Sequence, residues 1–544
     1  MRNMLLIVWT LLGVFMVHSG YAQENQGGHS APQQATAADT GEESSPTARF
    51  DVWEYRVSGN TLLKREQIER TVYPFLGRDK TIRDIQKARV ALEKRYHDAG
   101  YATVLVDIPQ QEVTDGIVHL NVTEGAVDRL LVTGSNYFSL QRIRGEVPSL
   151  APGSIPYLPD VQQQLMALNR QTGDRSVTPV LRPGRTPGTV EVELKVKDQL
   201  PLHGSAEVDN HNSADTTRLR VNGMLRYDNL WQKEHSLSVQ YQTSPENTDE
   251  VRVWSATYLA RGAHTNNLLA VYGVHSESNT ATVGTLAVVG RGDIVGLRGI
   301  IPLKSSKDYF HSLTLGVDYK DFKETVVPLG ADQVNYPIQY VPFSVLYNGT
   351  QRGDSGTTQF GVSINFGIRG LVNDAQKFDE KRYKSQANYI YLRANLERNQ
   401  ALYRGSRMRV ALNTQITNSP LISNEQFSAG GADSVRGYHE SEVLGDDAIQ
   451  GTVEFISPSL ARGALAKHIQ DWRALLFWDG ADLRIRDALP GQATGYVISS
   501  AGVGMRLKAW RHLNATLSWA QVFHGTSAVS DGDRRLDFSV EYAF

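Results

Sequence analysis

Hydrophobic and polar positions alternate with a period of two through most of the chain, from about residue 199 to Phe544. In one such segment Phe360, Val362, Ile364 and Phe366 alternate with glycine, serine and asparagine. This period predicts β-strands of about ten residues, each followed by a turn. A soluble β-sandwich alternates in the same way, so the period alone does not separate a sandwich from a membrane barrel.

The number of such segments and the shortage of helical pattern favour a closed barrel. No internal run approaches the roughly 20 apolar residues that a membrane-spanning helix needs. Without helices, only a closed sheet satisfies the backbone within lipid. At roughly 20 residues for each strand with its turn, residues 199–544 predict a transmembrane antiparallel β-barrel of about 16 strands. A barrel of that size encloses a polar lumen wide enough for an aqueous pore.

The last predicted strand places Leu536, Phe538, Val540, Tyr542 and Phe544 on one face. It resembles the C-terminal strand by which bacterial outer-membrane barrels are recognised for insertion. The resemblance implies that Phe538, Tyr542 and Phe544 form an insertion signal. It also implies that the barrel-assembly machinery inserts the chain and that the barrel contacts outer-membrane lipid.

Residues 49–198 carry a different pattern, in which a small α/β unit occurs twice. In residues 49–125 a strand precedes Ser58-Gly59-Asn60, two helical patterns follow, and two β-rich segments end the unit. Residues 126–198 repeat the turn as Gly134-Ser135-Asn136 and continue with a helix and two strands. The internal repeat predicts two domains. Such small domains expose sheet edges, which accept an extended partner peptide.

The N-terminus and the composition indicate the compartment. Residues 1–22 predict a signal peptide, because Arg2 precedes an apolar run and small residues precede a cleavage site after Ala22. Residues 23–48 are polar and predict a disordered linker. The chain has no cysteine, so disulfides do not stabilise it. Acidic and basic residues nearly balance, 58 against 56, so charge gives no argument for a nucleic-acid partner.

A glycine-rich stretch lies between two alternating segments and runs Gly430-Gly431-Ala432-Asp433-Ser434-Val435-Arg436-Gly437-Tyr438. One arginine among small residues in a long loop suits a charge that is carried to a distant acidic partner. The alternative is a solvated loop whose glycines only turn the chain.

The first small domain carries a set of motif residues, Gly100, Tyr101, Pro109, Gln110, Gly116 and Gly125. With these residues the two small domains resemble POTRA domains. The barrel carries Val435, Arg436, Gly437 and Tyr438, similar to the hallmark of a loop that folds into the pore of such barrels. The whole chain therefore resembles the outer-membrane transporter of two-partner secretion, the TpsB type of the haemolysin and haemagglutinin secretion proteins.

The resemblance implies that Arg436 pairs with an aspartate on a barrel strand and so fixes the loop inside the lumen. Asp479 is the first candidate and Asp482 the reserve. The family leaves one residue between this aspartate and its glycine, whereas Asp479 and Gly480 adjoin. An arginine in a confined lumen needs a carboxylate to offset its desolvation. The alternative for Asp479 is an ordinary Asp-Gly turn.

By the resemblance, periplasmic POTRA domains bind an unfolded TpsA-type exoprotein, and the barrel in the bacterial outer membrane exports it. Two alternatives stay open: an insertase related to the barrel-assembly machinery, and a passive porin or adhesin. The sequence shows no Walker loop, metal-spaced histidine pair or nucleotide fingerprint, so we expect neither catalysis nor a cofactor. The sequence does not name the cargo.

Overall fold

The computed structural model describes residues 49–544 except 215, 263–264, 266, 279, 284–285, 327–333 and 373. The predicted signal peptide and linker, residues 1–22 and 23–48, lie outside the described residues. The chain divides into two compact units, one up to Leu200 and one from Pro201 to Phe544. The first unit holds the α/β repeats, and the second holds the alternating segments.

The first repeat is a three-stranded sheet packed against helices. Its elements are β1 (Phe50–Val52), β2 (Glu54–Ser58), α1 (Arg65–Val72), β3 (Gly77–Lys80), α2 (Ile82–Asp98), β4 (Val104–Asp107) and β5 (Ile117–Glu124). β5 lies in the middle of the sheet, parallel to β2 and antiparallel to β4. Thr81 precedes α2 as its N-cap and forms a capping box with Asp84. The helix buries Ile85, Leu92 and Tyr96 at helical spacing.

The second repeat has the same sheet order and a core of its own. Its elements are β6 (Ala126–Thr133), α3 (Leu140–Gly145), α4 (Leu158–Arg170), β7 (Arg175–Pro183) and β8 (Thr189–Asp198). β8 lies in the middle, parallel to β6 and antiparallel to β7. Buried aliphatic side chains from the sheet and both helices form its core. A separate core is what defines a domain.

The second unit is a closed antiparallel barrel of 16 strands, which confirms the predicted fold class. The first half contains β9 (Leu202–Asp209), β10 (Arg220–Leu230), β11 (His235–Thr243), β12 (Arg252–Arg261), β13 (Leu268–Ser276), a loop hairpin of β14 (Thr280–Val283) and β15 (Leu286–Val289), β16 (Gly292–Pro302), β17 (Tyr309–Val326), β18 (Val334–Tyr340) and β19 (Pro342–Gly353). β18 and β19 pair with successive parts of β17 and form one barrel strand, because Val341 alone separates them.

The second half of the barrel contains the longest loops. Its elements are β20 (Gly356–Gly367), α5 (Ala375–Lys381), β21 (Ile390–Ala401), β22 (Arg407–Thr417), a loop hairpin of β23 (Phe427–Ala429) and β24 (Val443–Gly445), β25 (Asp447–Ile456), β26 (Ile469–Arg484), β27 (Gly495–Ala509), β28 (Leu513–Val522) and β29 (Arg534–Ala543). β29 pairs with β9 and closes the barrel. Mostly short turns lie at the end where β9 begins, and long loops lie at the other end, as is typical of outer-membrane barrels.

The two faces of the barrel wall reverse the arrangement of a soluble sandwich. Apolar side chains such as Leu225, Leu315 and Leu476 are exposed on the outside. Polar side chains such as Gln415 and Glu454 are buried on the inside. This reversal is what lipid outside and a polar lumen inside require. Across the described part of the chain, no helix is long and apolar enough to span a membrane.

Candidate functional site: the lumen loop

The loop between β22 and β25, residues 418–446, forms a hairpin inside the barrel. β23 pairs with β24, and the glycine-rich stretch forms the tip between them. Gly437 has a φ of +93°, and a Cβ there would lie 3.1 Å from the side chains of Ala520 and Val522 on β28. Glycine is needed at this position both for the backbone conformation and for the close approach to the wall.

The side chain of Arg436 is enclosed by two buried carboxylates. Its Nε and Nη2 donate to the two carboxylate oxygens of Asp479 at 2.7 and 2.9 Å. Its backbone N–H donates to Asp479 as well, at 3.2 Å. Its Nη1 donates to Glu454 at 2.7 Å. The guanidinium carbon lies 3.5 Å from the ring centroid of Phe477, so the cation also stacks on an aromatic face.

Strand geometry explains why these groups meet. Asp479 lies in the middle of β26, opposite Thr452 on β25 and Ser500 on β27, and its side chain is fully buried. Glu454 lies on β25 and is 1% exposed. Both carboxylates point into the lumen because alternate residues of a strand face one side. An arginine taken out of water there is stabilised only by such paired, hydrogen-bonded partners.

Glu454 was not among the residues predicted from the sequence. It also accepts two hydrogen bonds from Arg506 at 3.0 Å and lies 3.6 Å from Arg409. It therefore holds three guanidinium groups together in one network. The available signal was the alternation of β25, which places Gln450, Thr452 and Glu454 on its polar face.

The remaining motif residues fix the hairpin tip to the wall. Val435 is fully buried in a cluster of side chains from the hairpin and the wall. The hydroxyl of Tyr438 donates to the carbonyl of His524 at 2.6 Å and accepts the Ser499 N–H at 3.1 Å. The tip is thus held by an ion pair, by apolar packing and by a tyrosine anchor.

The structure places Asp479, and not the reserve candidate Asp482, against Arg436. Asp482 lies on the same strand, opposite Ile449. It is three positions from Asp479, and residues an odd number of positions apart on a strand face opposite sides of the sheet. Asp479 and Gly480 both lie inside β26. The alternative of an Asp-Gly turn is therefore wrong, because strand pairing continues through both residues.

The predicted POTRA motif residues shape the first repeat and its junction with the second. Gly100 has a φ of +99°, and its carbonyl accepts the N–H of Leu158 in the second repeat. The ring of Tyr101 lies 5.3 Å from that of Tyr157. The others lie in the connections between strands: Pro109 and Gln110 after β4, Gly116 against Trp53 just before β5, and Gly125 between β5 and β6.

The predicted insertion-signal residues lie on β29 and just after it. Tyr542 and Phe544 are exposed on the barrel surface, and Phe538 is half-buried. The backbone N–H and carbonyl of Phe544 both bond to Gly204, next to the start of β9. These residues therefore lie at the seam where the barrel closes.

A polar cavity of about 460 Å³ lies beside the hairpin tip. Its lining includes Glu207, Arg220, Asp433, Arg436 and Glu454. Mixed charges on the wall and on the loop face this space. Such a lumen suits the passage of a hydrated, extended polypeptide, but only when the hairpin tip no longer lies across it.

Comparison with known proteins gives consistent matches for both units. A family model described as haemolysin secretion/activation protein ShlB/FhaC/HecB matches residues 188–462, about half of the chain. A model described as POTRA domain, ShlB-type, matches residues 50–125. The outer membrane transporter CdiB of Dickeya dadantii is 23% identical over 475 residues, which cover 79% of each protein.

Solved structures show the same fold. CdiB from Escherichia coli superposes with a TM-score of 0.62 at 19% identity and covers 93% of each chain. BamA from Haemophilus ducreyi, lacking POTRA domains 1–3, superposes with a TM-score of 0.57 at 14% identity, over 91% of this chain and 100% of that one.

Proposed function

Because the chain belongs to the haemolysin secretion/activation protein family, we propose that it captures an unfolded exoprotein at its POTRA domains and exports it in extended form through the barrel. It is an outer-membrane transporter of two-partner secretion, with its POTRA domains in the periplasm. The observation that carries the proposed route is the lumen hairpin. Its ion-paired tip lies in a polar lumen, where it obstructs the path without filling it.

The edges of the first POTRA sheet support a particular docking site for the cargo. On β4, the carbonyl of Val104 lies 3.0 Å from His97 Nε2. The carbonyl of Val106 accepts from Arg89 at 3.2 Å, and its N–H donates to Glu93 at 3.2 Å. These three side chains come from successive turns of α2. They occupy the backbone groups that a peptide would need, so β4 is closed to strand addition.

β2 is the opposite edge of this sheet and, within the described part of the chain, pairs with β5 alone. The Glu54 N–H bonds to the carbonyl of Gly116. Alternate residues of β2 bond to β5, so Tyr55 and Val57, which follow Glu54 and Arg56, direct their backbone N–H and carbonyl groups away from β5. An extended cargo segment adds to β2 as a further strand, with backbone hydrogen bonds that do not depend on its sequence. This suits a transporter that must take up a long chain.

The second POTRA sheet offers less to a peptide. On β7, the N–H and carbonyl of Val177 bond to Asn169 at 2.8 and 3.0 Å. Pro179 and Pro183 lie an even number of positions further along β7, on the same bonding side as Val177, and have no N–H to donate to a peptide. At the other edge, Val127 on β6 bonds to Gly153 and Ser154. The first POTRA domain is therefore the proposed receptor.

Insertion into the outer membrane and the energy for export need no further domain in this proposal. The barrel-assembly machinery recognises the last strand, and the apolar outer surface then contacts outer-membrane lipid. The periplasm holds no ATP, so folding of the cargo outside the cell drives export. No residue of the chain is proposed to act as a catalyst.

Deletion of residues 50–124 tests the function. Cells express the protein with a candidate cargo from a neighbouring gene, and cargo in the medium is measured beside barrel in the membrane. We expect the barrel to remain and the cargo to disappear from the medium. If cargo export is untouched while other outer-membrane proteins fall in abundance, the insertase alternative is correct. If neither cargo export nor the abundance of other outer-membrane proteins changes, the result favours the passive porin alternative.

A further inference from the structure

The lumen hairpin is held at its base as well as at its tip. The base consists of residues 421–426, which precede β23, and of Asp446, which follows β24; we call these residues the base clamp. The tip contacts the wall at β25, β26 and β27. Glu425 of the base contacts a different part of the wall, made of β17, β18 and β21, whereas the backbone N–H of Asp446 bonds to Arg484 on β26. From its tip to Glu425, the hairpin therefore spans the lumen between two parts of the wall.

Glu425 is the charged centre of the base clamp. The residue is 2% exposed, and its carboxylate accepts three hydrogen bonds. They come from Lys320 Nζ at 2.6 Å and from the hydroxyls of Tyr340 at 2.6 Å and Tyr391 at 2.7 Å. A buried carboxylate with one cation and two hydroxyl donors is well compensated, and the loss of one partner is costly.

Asp446 holds the other side of the base. Its side chain is fully buried and forms a two-pronged ion pair with Arg382 at 2.6 and 2.5 Å. It also accepts the backbone N–H groups of Leu421 at 2.9 Å and Arg486 at 2.7 Å. Gln426 donates to the same carboxylate at 3.2 Å. The two ends of the hairpin are thereby tied to each other and to two neighbouring loops.

Apolar packing adds to this attachment. Leu421 and Ile422 are each 1% exposed and lie in one cluster with Phe378 of α5 and with Tyr389. The base clamp contains no glycine, whereas the tip contains Gly430, Gly431 and Gly437, all with positive φ. Both parts are packed, but the glycines allow the tip other backbone conformations once its contacts with the wall are broken, and the base has no such residues.

The cavity separates the two parts further. Among the described residues that line it, several belong to the tip, including Asp433, Ser434 and Arg436, and none belongs to the base clamp. A passing polypeptide has to displace the tip and can leave the base in place.

We propose that the base clamp stays fixed during export and that the hairpin from Phe427 to Gly445 pivots on it. Glu425 is then a positioning residue, which returns Arg436 to Asp479 after each passage. This inference rests on the proposed export function. It adds that the loop swings about one end and does not leave the barrel.

Two reducible cross-links test the pivot, and the absence of native cysteine leaves the background clean. Lys320→Cys with Glu425→Cys replaces the ion pair at the base. Glu442→Cys with Thr526→Cys replaces a side-chain hydrogen bond between the proposed pivoting segment, just beyond the tip, and the loop before β29; we call this the tip link. A short bis-methanethiosulfonate joins each pair in the inserted protein, and export of the cargo is followed before and after reduction.

We expect the base link to support export and the tip link to stop it until reductant is added. The unlinked base variant exports about tenfold less, because hydrogen bonds to a charged group are lost, and the link restores its export. Arrest by the base link, or export through the linked tip, overturns the pivot. If the parent chain exports no cargo, the proposed function fails instead.

If the double variants do not insert into the membrane, a single substitution tests the role of Glu425. Glu425→Gln keeps the shape of the side chain and removes its charge. We expect about tenfold slower export and greater thiol reactivity of an Asp433→Cys reporter in the tip. The matched control is Asp487→Asn, which removes a carboxylate from an exposed ion pair with Lys384 near the same loops. Equal export from both variants contradicts the role of Glu425.

Discussion

At the scale of single residues, the two carboxylates around Arg436 differ in what they do. Among the described residues, the carboxylate of Asp479 accepts hydrogen bonds from Arg436 alone, through its side chain and its backbone N–H. Glu454 also holds Arg506 and Arg409. Asp479 therefore specifies where the loop docks, whereas Glu454 keeps three cations from repelling one another. Loss of Arg436 leaves Asp479 buried without its cation, which costs about 3–5 kcal/mol.

We predict that Arg436 and Asp479 act as one unit. Arg436→Ala and Asp479→Ala each leave the barrel inserted and each reduce export by about tenfold or more, because a shift of about 1.4 kcal/mol is already tenfold. The double variant is little worse than either single variant, since each change removes the same interaction. The measurement is cargo in the medium per barrel in the membrane.

Asp482→Asn is the matched control for this pair, because Asp482 lies three residues further along the same strand, and the side chain of Arg436 donates to Asp479 and Glu454. It is expected to export normally. Additive losses from Arg436→Ala and Asp479→Ala would show that the loop has another partner.

The sequence predicted the pairing of Arg436 with Asp479 only through a resemblance, and the reason is physical. The two residues are 43 positions apart, and no period or spacing connects a loop to a strand at that distance. Glu454 was visible as a polar position in an alternating segment. Its burial was not, because burial depends on which loop fills the lumen.

At the scale of elements, the closed edge of one sheet decides where a peptide binds. The side chains of Arg89, Glu93 and His97 recur every four residues on α2 and so lie in one row. That row covers β4 and leaves β2 as the open edge. The alternation of the sequence predicted both strands. It did not show that the row on α2 lies against β4, because that contact depends on how the helix packs on the sheet.

We predict that cargo contacts β2 and not β4. A photo-cross-linking amino acid is placed at Arg56 on β2 or at Leu105 on β4, two exposed positions at opposite edges of the same sheet. Irradiation during export gives a cargo adduct at position 56 and at most a trace at position 105. A stronger adduct at position 105 would contradict this prediction and show that cargo binds at the β4 edge, beside α2.

The start of α2 gives a prediction on pH. Hydrogen bonds from Lys87 and Thr81 lower the pKa of Asp84 to about 2. A carboxyl group with a lowered pKa in the folded state adds stability above its unfolded pKa of about 3.9, and this stability is lost as the pH falls towards 2. Asp84→Asn therefore lowers the urea midpoint of the periplasmic unit at pH 5–7, and the difference shrinks between about pH 4 and 2. A difference that stays constant down to pH 2 would contradict the capping role.

Two short helices were not predicted from the sequence. α3 and α5 span six and seven residues, too few for a helical period to stand out from chance. Each is started by a side-chain cap, from Ser139 or Asp374. α5 matters most, because its Phe378 packs on the base clamp.

At the scale of the whole molecule, the barrel has its shortest strand pairing where its two ends meet. β29 pairs with β9 over five positions, whereas β26 pairs with β27 over about three times as many. Beyond Asp209 the side chain of Asn210 continues the contact, with hydrogen bonds to Phe538 and Leu536. A short seam of this kind would suit an insertase that opens sideways. It is equally compatible with a transporter that never opens.

We predict that export does not require this seam to open. Val208 on β9 and Val540 on β29 are directly opposite each other and equally exposed, at 41%. Directly opposite residues on antiparallel strands have the Cα separation that a disulfide accepts. Val208→Cys with Val540→Cys is oxidised after insertion, so that assembly itself is not impeded. Cargo that passes through the lumen is then exported at the rate of the reduced protein, and each single-cysteine variant controls for the oxidant. Arrest that reverses with reductant would mean that the cargo, or a barrel under assembly, leaves through the wall.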